Sequence, residues 1–317
     1  MVMDNAYLVF ICEDFFYMWF KNLTVFRFAE PFSPTIESLA KQLEQHAFQP
    51  CPSHQPNAAG WVPPLGRKAV DLVHVVAGRV LLCLRIEEKV LPVSVLNQMV
   101  AERVASIEDQ RRQPVGRREK REMRDELFQR LLPHALTRGR CGYAYLDPAG
   151  GWLVVDSASA RGVEEITGLL RKSLGTLPII PLEVKQSVTA IMTGWLAEGR
   201  PPAEFDFGDS CELREPGDAG GVVRCRGQDL TGDEMRGHLA AGKRAARLGL
   251  SWNDRVAFVL DESLVIRRLQ FLDVVRESLR DSATDSAEAV FDAEYALMTA
   301  ELALLLPRLL ELFGGEA

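Results

Sequence analysis

No stretch of this chain is apolar for long enough to cross a membrane. The nearest candidate, residues 6–20 (AYLVFICEDFFYMWF), is broken by Glu13 and Asp14, and a span needs about 20 apolar residues. No Lys or Arg precedes it and no small-residue cleavage site follows, so it does not read as a secretion signal. The six cysteines (12, 51, 83, 141, 211 and 225) include no CxxC pair. Cys51-Pro-Ser-His54 is a lone CxxH without the second pair of ligands that a structural zinc site requires. Scattered cysteines without a leader read as reduced thiols of a cytoplasmic protein. The chain has no G-x-S-x-G, no P-loop and no G-x-G-x-x-G, and its five histidines show neither HExxH nor paired spacing. No cofactor and no bound metal are expected. The glycine-rich Gly217-Asp-Ala-Gly-Gly221 has no helix start after it, and Asp218 would repel phosphate, so it reads as a turn. There is no internal repeat and no low-complexity tract.

What remains is an ordinary globular composition: 47% apolar and 26% charged in 317 residues. That length suggests one to three domains and a core large enough to need no staples. The net charge of −7 argues, as an average, against a nucleic-acid partner. Its distribution says otherwise. Eight of the 44 acids but only one of the 37 bases fall in residues 281–317, so residues 1–280 hold 36 of each. The body is therefore free to display basic patches, and local charge rather than the total sets the choice of partner.

Periodicity and punctuation give a coarse plan. Residues 18–28 alternate and read as a strand. Ser33-Pro34 reads as a cap and first turn of a helix carrying Ile36, Leu39, Ala40, Leu43 and Ala47. Residues 60–66 (GWVPPLG) read as an extended connector. Strands are expected at 72–77 and 80–86. A long helix from Pro92 should turn Val95, Leu96, Met99, Val100, Val104 and Ile107 to one face, and a second is expected at 117–132. A hairpin is expected at 143–155, helices at 160–174 and 187–198, and a strand at 177–182. Residues 199–221 are loop-rich and acidic and read as a domain boundary or a pair of short strands, and 222–226 as a strand. Thr231 should cap a helix to Arg247, followed by strands at 255–260 and 264–269 and a helix at 286–313. Helices and strands mix irregularly, so the expected class is α+β.

Two kinds of chemistry are conceivable. Asp71 ahead of Glu87-Glu88-Lys89 is the D…ExK layout by which some nucleases hold a divalent metal and support developing charge. A solvated strand end is the commoner reason for such a pattern. Basic runs are the better signal. Residues 111–124 contain Arg111, Arg112, Arg117, Arg118, Lys120, Arg121 and Arg124 against two acids. Arg224 and Arg226 share a face of a strand, because alternate residues do. Lys243, Arg244 and Arg247 are expected together at a helix end. Such side chains neutralise phosphates and release counterions, which binds DNA without reading bases. Few aromatics interleave them, so stacking on single strands is not advertised.

Six segments carry a resemblance. Met18-Trp-Phe-Lys-Asn-Leu23, Gly60-Trp-Val-Pro-Pro-Leu-Gly66, Glu87-Glu-Lys-Val-Leu-Pro92, Leu170-Arg-Lys-Ser-Leu-Gly175, Gln228-Asp-Leu-Thr231 and the closing Gly314-Gly-Glu-Ala317 resemble, in order and spacing, the bacterial recombination-associated RdgC family. The resemblance runs from residue 18 to the C-terminus. Residues 1–17 then read as an extension outside the family, and 18–317 as the DNA-binding protein, with a projecting segment near 92–140 and an acidic C-terminal helix at 281–317. The resemblance implies a curved subunit and a homodimer closed into a ring around duplex DNA. It implies binding of double- and single-stranded DNA with little sequence preference, in the nucleoid, and restraint of RecA-promoted strand exchange through shared DNA. It adds Gln228 to the DNA-binding candidates and marks His134 and Leu136, where the family can carry Arg-Ala-Phe, as candidate dimer contacts. Because the family is in places labelled an exonuclease, metal-dependent cleavage by Asp71, Glu87 and Lys89 is the second reading.

Overall fold

A computed structural model describes residues 18–66, 69–217, 220–280 and 286–317, leaving out the side chains of 278–280. The extension at 1–17, Asp218 of the glycine-rich turn, and Asp281 and Asp285 lie outside the described residues. In chain order the elements are β1 (Thr24–Phe28), α1 (Ile36–Glu44), β2 (Asn57–Val62), β3 (Val73–Val76), β4 (Arg79–Val90), α2 (Val93–Arg111) and α3 (Arg117–Leu131). A 3-10 turn at Leu132–His134 leads into β5 (Leu136–Asp147), β6 (Trp152–Val155), α4 (Ala160–Leu174), β7 (Ile179–Pro181) and α5 (Val188–Glu198). Then come β8 (Phe205–Arg214), β9 (Val222–Arg226), α6 (Asp233–Ala240), β10 (Arg244–Trp252), β11 (Val256–Asp261), β12 (Ile266–Phe271), α7 (Asp273–Arg280) and α8 (Ala287–Leu312). The class is α+β, and the described residues divide into two units.

The larger unit comprises residues 18–45, 63–83 and 142–317. In one sheet β5, β6, β1 and β7 lie side by side in that order. The second sheet has five antiparallel strands in the order β12-β11-β10-β8-β9. A bridge between Leu23 and Ile266, with hydrogen bonds of 2.8 and 3.0 Å, ties the first sheet's entry segment to the second. The core is dominated by α8, whose Phe291, Tyr295, Met298, Leu302, Leu305, Leu306, Leu309 and Leu310 are buried. Two of its acids are partners within the fold rather than solvated charge. Glu301 is buried and bonded by Arg255, and Asp292 lies 2.6 Å from His74. Beyond the helix, Glu316 pairs with Arg27 at 2.9 Å. The terminal acids that look like a repelling tail in sequence are thus partly consumed by arginines of the same unit.

The smaller unit comprises residues 46–62 and 84–141. Its α2 and α3 form a helical hairpin closed by Val104, Val115 and Met123 with Val100 and Ile107. Leu96 and Val104 are buried as the spacing predicts, but Val95 is half exposed. Gly60 belongs to β2 rather than to a connector, because Trp61 exchanges backbone hydrogen bonds with His46 and Phe48. Any side chain at Gly60 would put its Cβ 2.3 Å from the Phe48 Cα.

Four further expectations are corrected. The strand expected at 18–28 is confined to Thr24–Phe28. Met18, Trp19 and Phe20 are instead buried anchors, and the amides of Lys21 and Asn22 both donate to Asp156 Oδ1 at 3.0 and 2.9 Å. The cap of α1 is Thr35, whose hydroxyl accepts from the Ser38 amide, not Ser33. Residues 199–221 contain β8, one long strand between β10 and the edge strand β9 of the second sheet. The helix expected at 231–247 stops at Ala240. Gly242 turns the chain with φ 87°, and Ala245, Ala246, Leu248 and Leu250 are then buried along β10.

Candidate nucleic-acid interface

Strand pairing decides which charges meet. Across the second sheet Arg224 (β9) lies opposite Glu212 (β8), Glu212 opposite Arg247 (β10), and Arg247 opposite Asp261 (β11). Directly opposed residues share a face, so this row is one surface. Neighbours two positions away extend it: Arg226 beside Arg224, and Arg214 beside Glu212. The other face carries Cys211, Leu213, Leu248, Leu260 and Ile266, all buried.

Two irregularities enlarge the surface. Arg244 pairs with Arg214, Ala245 with Leu213 and Arg247 with Glu212, so Ala246 is an extra residue in β10. A one-residue bulge lets residues three apart in sequence face the same way. It brings Arg244 to the side of Arg247, where a regular strand would send it to the core. On β12 the register slips between Ala257 and Val259, and Arg268 takes φ 51°. The consecutive Arg267 and Arg268 then line one cavity of about 300 Å³ together with Arg224, Arg226, Arg247, Ser210 and Asn22. Arg214, Arg224, Arg226, Arg244, Arg247, Arg267 and Arg268 thus crowd this side of the sheet, against Glu212, Asp261 and Glu262.

The carboxylates organise the arginines. Glu212, with only 5% of its side chain exposed, accepts from Arg214 at 2.9 and 2.7 Å on Oε1. On Oε2 it accepts from Arg224 at 2.8 Å and Arg247 at 3.3 Å. Burial pushes its carboxyl up, but the hydrogen bonds from Arg224 and Arg214 and the charge of Arg247 outweigh that and hold it below the ordinary carboxylate range. Asp261 accepts from Arg267 at 2.8 Å, while its other oxygen caps the β11–β12 turn through the Ser263 and Val265 amides. Arg226, Arg244 and Arg268 are exposed and have no carboxylate partner among the described residues. Lys243 is half-buried where α6 gives way to β10, and Gln228 is exposed just past β9.

The basic run at 111–124 lies on the smaller unit's helical hairpin. Arg111 pairs with Glu119 at 2.7 Å, Arg118 with Glu122 at 2.9 Å and Lys120 with Glu108 at 3.9 Å. Arg112 ends α2 with φ 53°. Arg117, Arg121 and Arg124 are exposed and, at i, i+4 and i+7, form one stripe along α3. His134 and Leu136 are exposed, Leu136 to 80%.

Among the described residues nothing supports a metal centre at the D…ExK residues. Glu87 is buried, receives Arg85 at 2.7 Å on one oxygen and accepts the Cys51 amide at 3.1 Å on the other. Asp71 is exposed. Among the described residues no group of three or more His, Cys, Asp or Glu could hold a metal ion.

Of the residues on this surface, the sequence singles out Arg224, Arg226, Arg244 and Arg247, but it assigns the last two to a helix end rather than to β10. It does not single out Arg214, Arg267, Arg268 or Asn22. The adjacent pair Arg267-Arg268 was visible in the chain, but only the bulge reveals that both face one cavity. Asn22 sits inside the quoted Met18–Leu23 segment, whose chemistry gave no hint of this position.

Comparison with known proteins agrees with the quoted motifs. Residues 18–316 match the family model described as "Putative exonuclease, RdgC". A protein of Aeromonas hydrophila named "Recombination-associated protein RdgC" is 43% identical over 299 residues, covering 94% of this chain and 99% of its own. Proteins of the same name from Psychromonas ingrahamii and Halorhodospira halophila are each 40% identical over 299 residues, with the same coverage.

Proposed function

The chain belongs to the RdgC family, and from that premise we propose that it is a sequence-nonspecific DNA-binding protein of recombination. The arginine face of the second sheet grips the phosphate backbone. One observation carries this reading: seven arginines from four strands of one five-stranded sheet converge on a single surface, and three of them have no carboxylate partner among the described residues. Phosphate contacts of this kind position a protein without conveying sequence. No aromatic side chain lines the cavity, so bases need not be unstacked and duplex and single strands are held by the same charges. The Arg117, Arg121 and Arg124 stripe supplies a second set of phosphate partners.

Two copies close into a ring around the duplex, so that two-fold symmetry presents each arginine face twice. His134 and the exposed Leu136 belong to one dimer contact. By occupying DNA in the nucleoid, the ring restrains RecA-promoted strand exchange without needing to touch RecA. The protein cuts no bond, because Glu87 is already committed to Arg85 and the Cys51 amide.

The test compares linear and nicked-circular duplex of equal length, with and without magnesium. Protein loaded at low salt and then challenged with high salt should stay on circles and leave linear DNA, with all substrate intact. Equal release from both forms would refute encirclement. Loss of substrate only with magnesium would refute the non-enzymatic reading.

A further inference from the structure

We propose that Glu212 is a positioning residue of the DNA interface. Its buried carboxylate holds Arg214, Arg224 and Arg247 in one array, so that their remaining N–H groups meet phosphate oxygens together. This rests on the arginine face being the DNA-binding surface. It also makes an unusual claim, that a negative charge on a DNA-binding surface strengthens binding.

The geometry is particular. Glu212 lies between two cross-strand arginines, Arg224 on one side and Arg247 on the other, with Arg214 two positions along its own strand. Each guanidinium has five N–H donors. Arg224 gives Glu212 only its Nε–H, and Arg247 only one from Nη1. Arg214 gives two to Glu212 and one to Glu262. Arg224 therefore keeps both of its terminal nitrogens for another anion while its stem is fixed at Nε. The arginines screen the carboxylate itself: 5% of the Glu212 side chain is exposed, against 63% for Arg224, 43% for Arg214 and 36% for Arg247. An approaching phosphate meets guanidinium edges before it meets the carboxylate.

Without Glu212, three like charges would face one another across adjacent strands, and like charges directly opposed repel. They would swing apart into water, and DNA would have to gather three flexible side chains, each carrying about 2 kcal/mol of rotamer entropy. Preorganisation removes that cost in advance. Simple charge counting makes the opposite prediction, since deleting one negative charge should tighten binding to a polyanion.

The experiment uses the full chain and a labelled random-sequence duplex of about 30 base pairs, with affinity measured across a salt series and thermal midpoints recorded alongside. Glu212→Gln should weaken binding about tenfold near 0.1 M salt and flatten the log–log salt slope by about one phosphate or more, each phosphate being about 0.9 in slope. Glu212→Asp keeps the charge but withdraws it by one methylene, and it should fall between wild type and the Gln variant. A carboxylate that only held the fold together would shift the thermal midpoint and leave the slope unchanged. Affinity equal to or above wild type in Glu212→Gln overturns the proposal. Should that variant not fold, wild-type affinity in Glu212→Asp overturns it instead. Arg226→Ala in parallel keeps the two ideas separate. If Arg226→Ala leaves binding intact, the arginine face is not the interface. If Arg226→Ala weakens binding while Glu212→Gln tightens it, the face is right and the positioning role is wrong.

Discussion

Replacing Arg226, Arg244 and Arg268 together with Ala separates DNA binding from folding. These three are exposed and have no carboxylate partner among the described residues, so no ion pair of the fold is lost. Arg224 is a poorer choice, because its removal also strips a donor from buried Glu212. If each of the three neutralises one duplex phosphate, each contributes about 0.9 to the log–log salt slope, which at 0.1 M salt is about eightfold in affinity per contact. The triple variant should then lose about 500-fold at 0.1 M and about 25-fold at 0.3 M, counted for one protomer's face, with a slope shallower by about 2.7. The loss itself must shrink as salt rises, which distinguishes counterion release from a damaged fold. Fluorescence anisotropy with duplexes of several unrelated sequences gives both the slope and the sequence preference, and calorimetric midpoints should stay within a degree or two. A salt-independent loss, or a loss confined to one sequence, would refute the reasoning, since neither comes from phosphate neutralisation.

The pairing of Glu212 also sets an acid limit. Its carboxyl is held below the ordinary range by the arginines despite burial, so its stabilising contribution is present above the unfolded value of about 4.3 and is lost as pH falls through its lower folded value. The stability gap between wild type and Glu212→Gln should be flat from neutral pH to about 4.5 and close below that; a gap that widens in acid would contradict the assignment. Glu301→Gln leaves Arg255 with weakened partners in the core and should cost about 1–3 kcal/mol in denaturant unfolding. It should leave the salt slope of DNA binding unchanged. Glu87→Gln should lower the thermal midpoint by loosening Arg85 and the Cys51 amide. Neither it nor the wild type should degrade DNA in magnesium; nicking by the wild type that vanishes in this variant would restore metal chemistry to the site.

Much of the fold is readable from the chain where one periodicity prevails. Helix α4 with its Ser159 cap and Gly175 stop, the β5–β6 hairpin and the long α8 occupy the expected positions. Reading fails where a local signal is overruled by packing. Residues 231–247 look helical because Ala, Lys and Arg are good helix formers, yet Gly242 ends α6 and the sheet takes Arg244 onward. Strand β8 is hidden because Gly208 and Asp209 resemble a turn. In the sheet Gly208 and Gly249 let two strands approach: a Cβ on Gly249 would lie 2.9 Å from the Ser210 carbonyl oxygen. The candidate site suffers more than the fold. Charge runs are visible within the chain, but arginines on four strands separated by as many as 54 positions, from Arg214 to Arg268, become one surface only through pairing register.

The extra residue at Ala246 has a consequence for how this surface can change over generations. Substituting one arginine removes one contact, and the six others persist. Arg244 and Arg247 stand three positions apart and face one way only because Ala246 is bulged. If β10 were straightened at unchanged length, Arg244 would pass through the sheet into the apolar layer, where an unpaired guanidinium is not tolerated. Losing one residue at 245 or 246 would instead leave the two arginines two positions apart and on the same face without a bulge. Homologous chains one residue shorter here should therefore have a regular strand and keep both arginines on this surface.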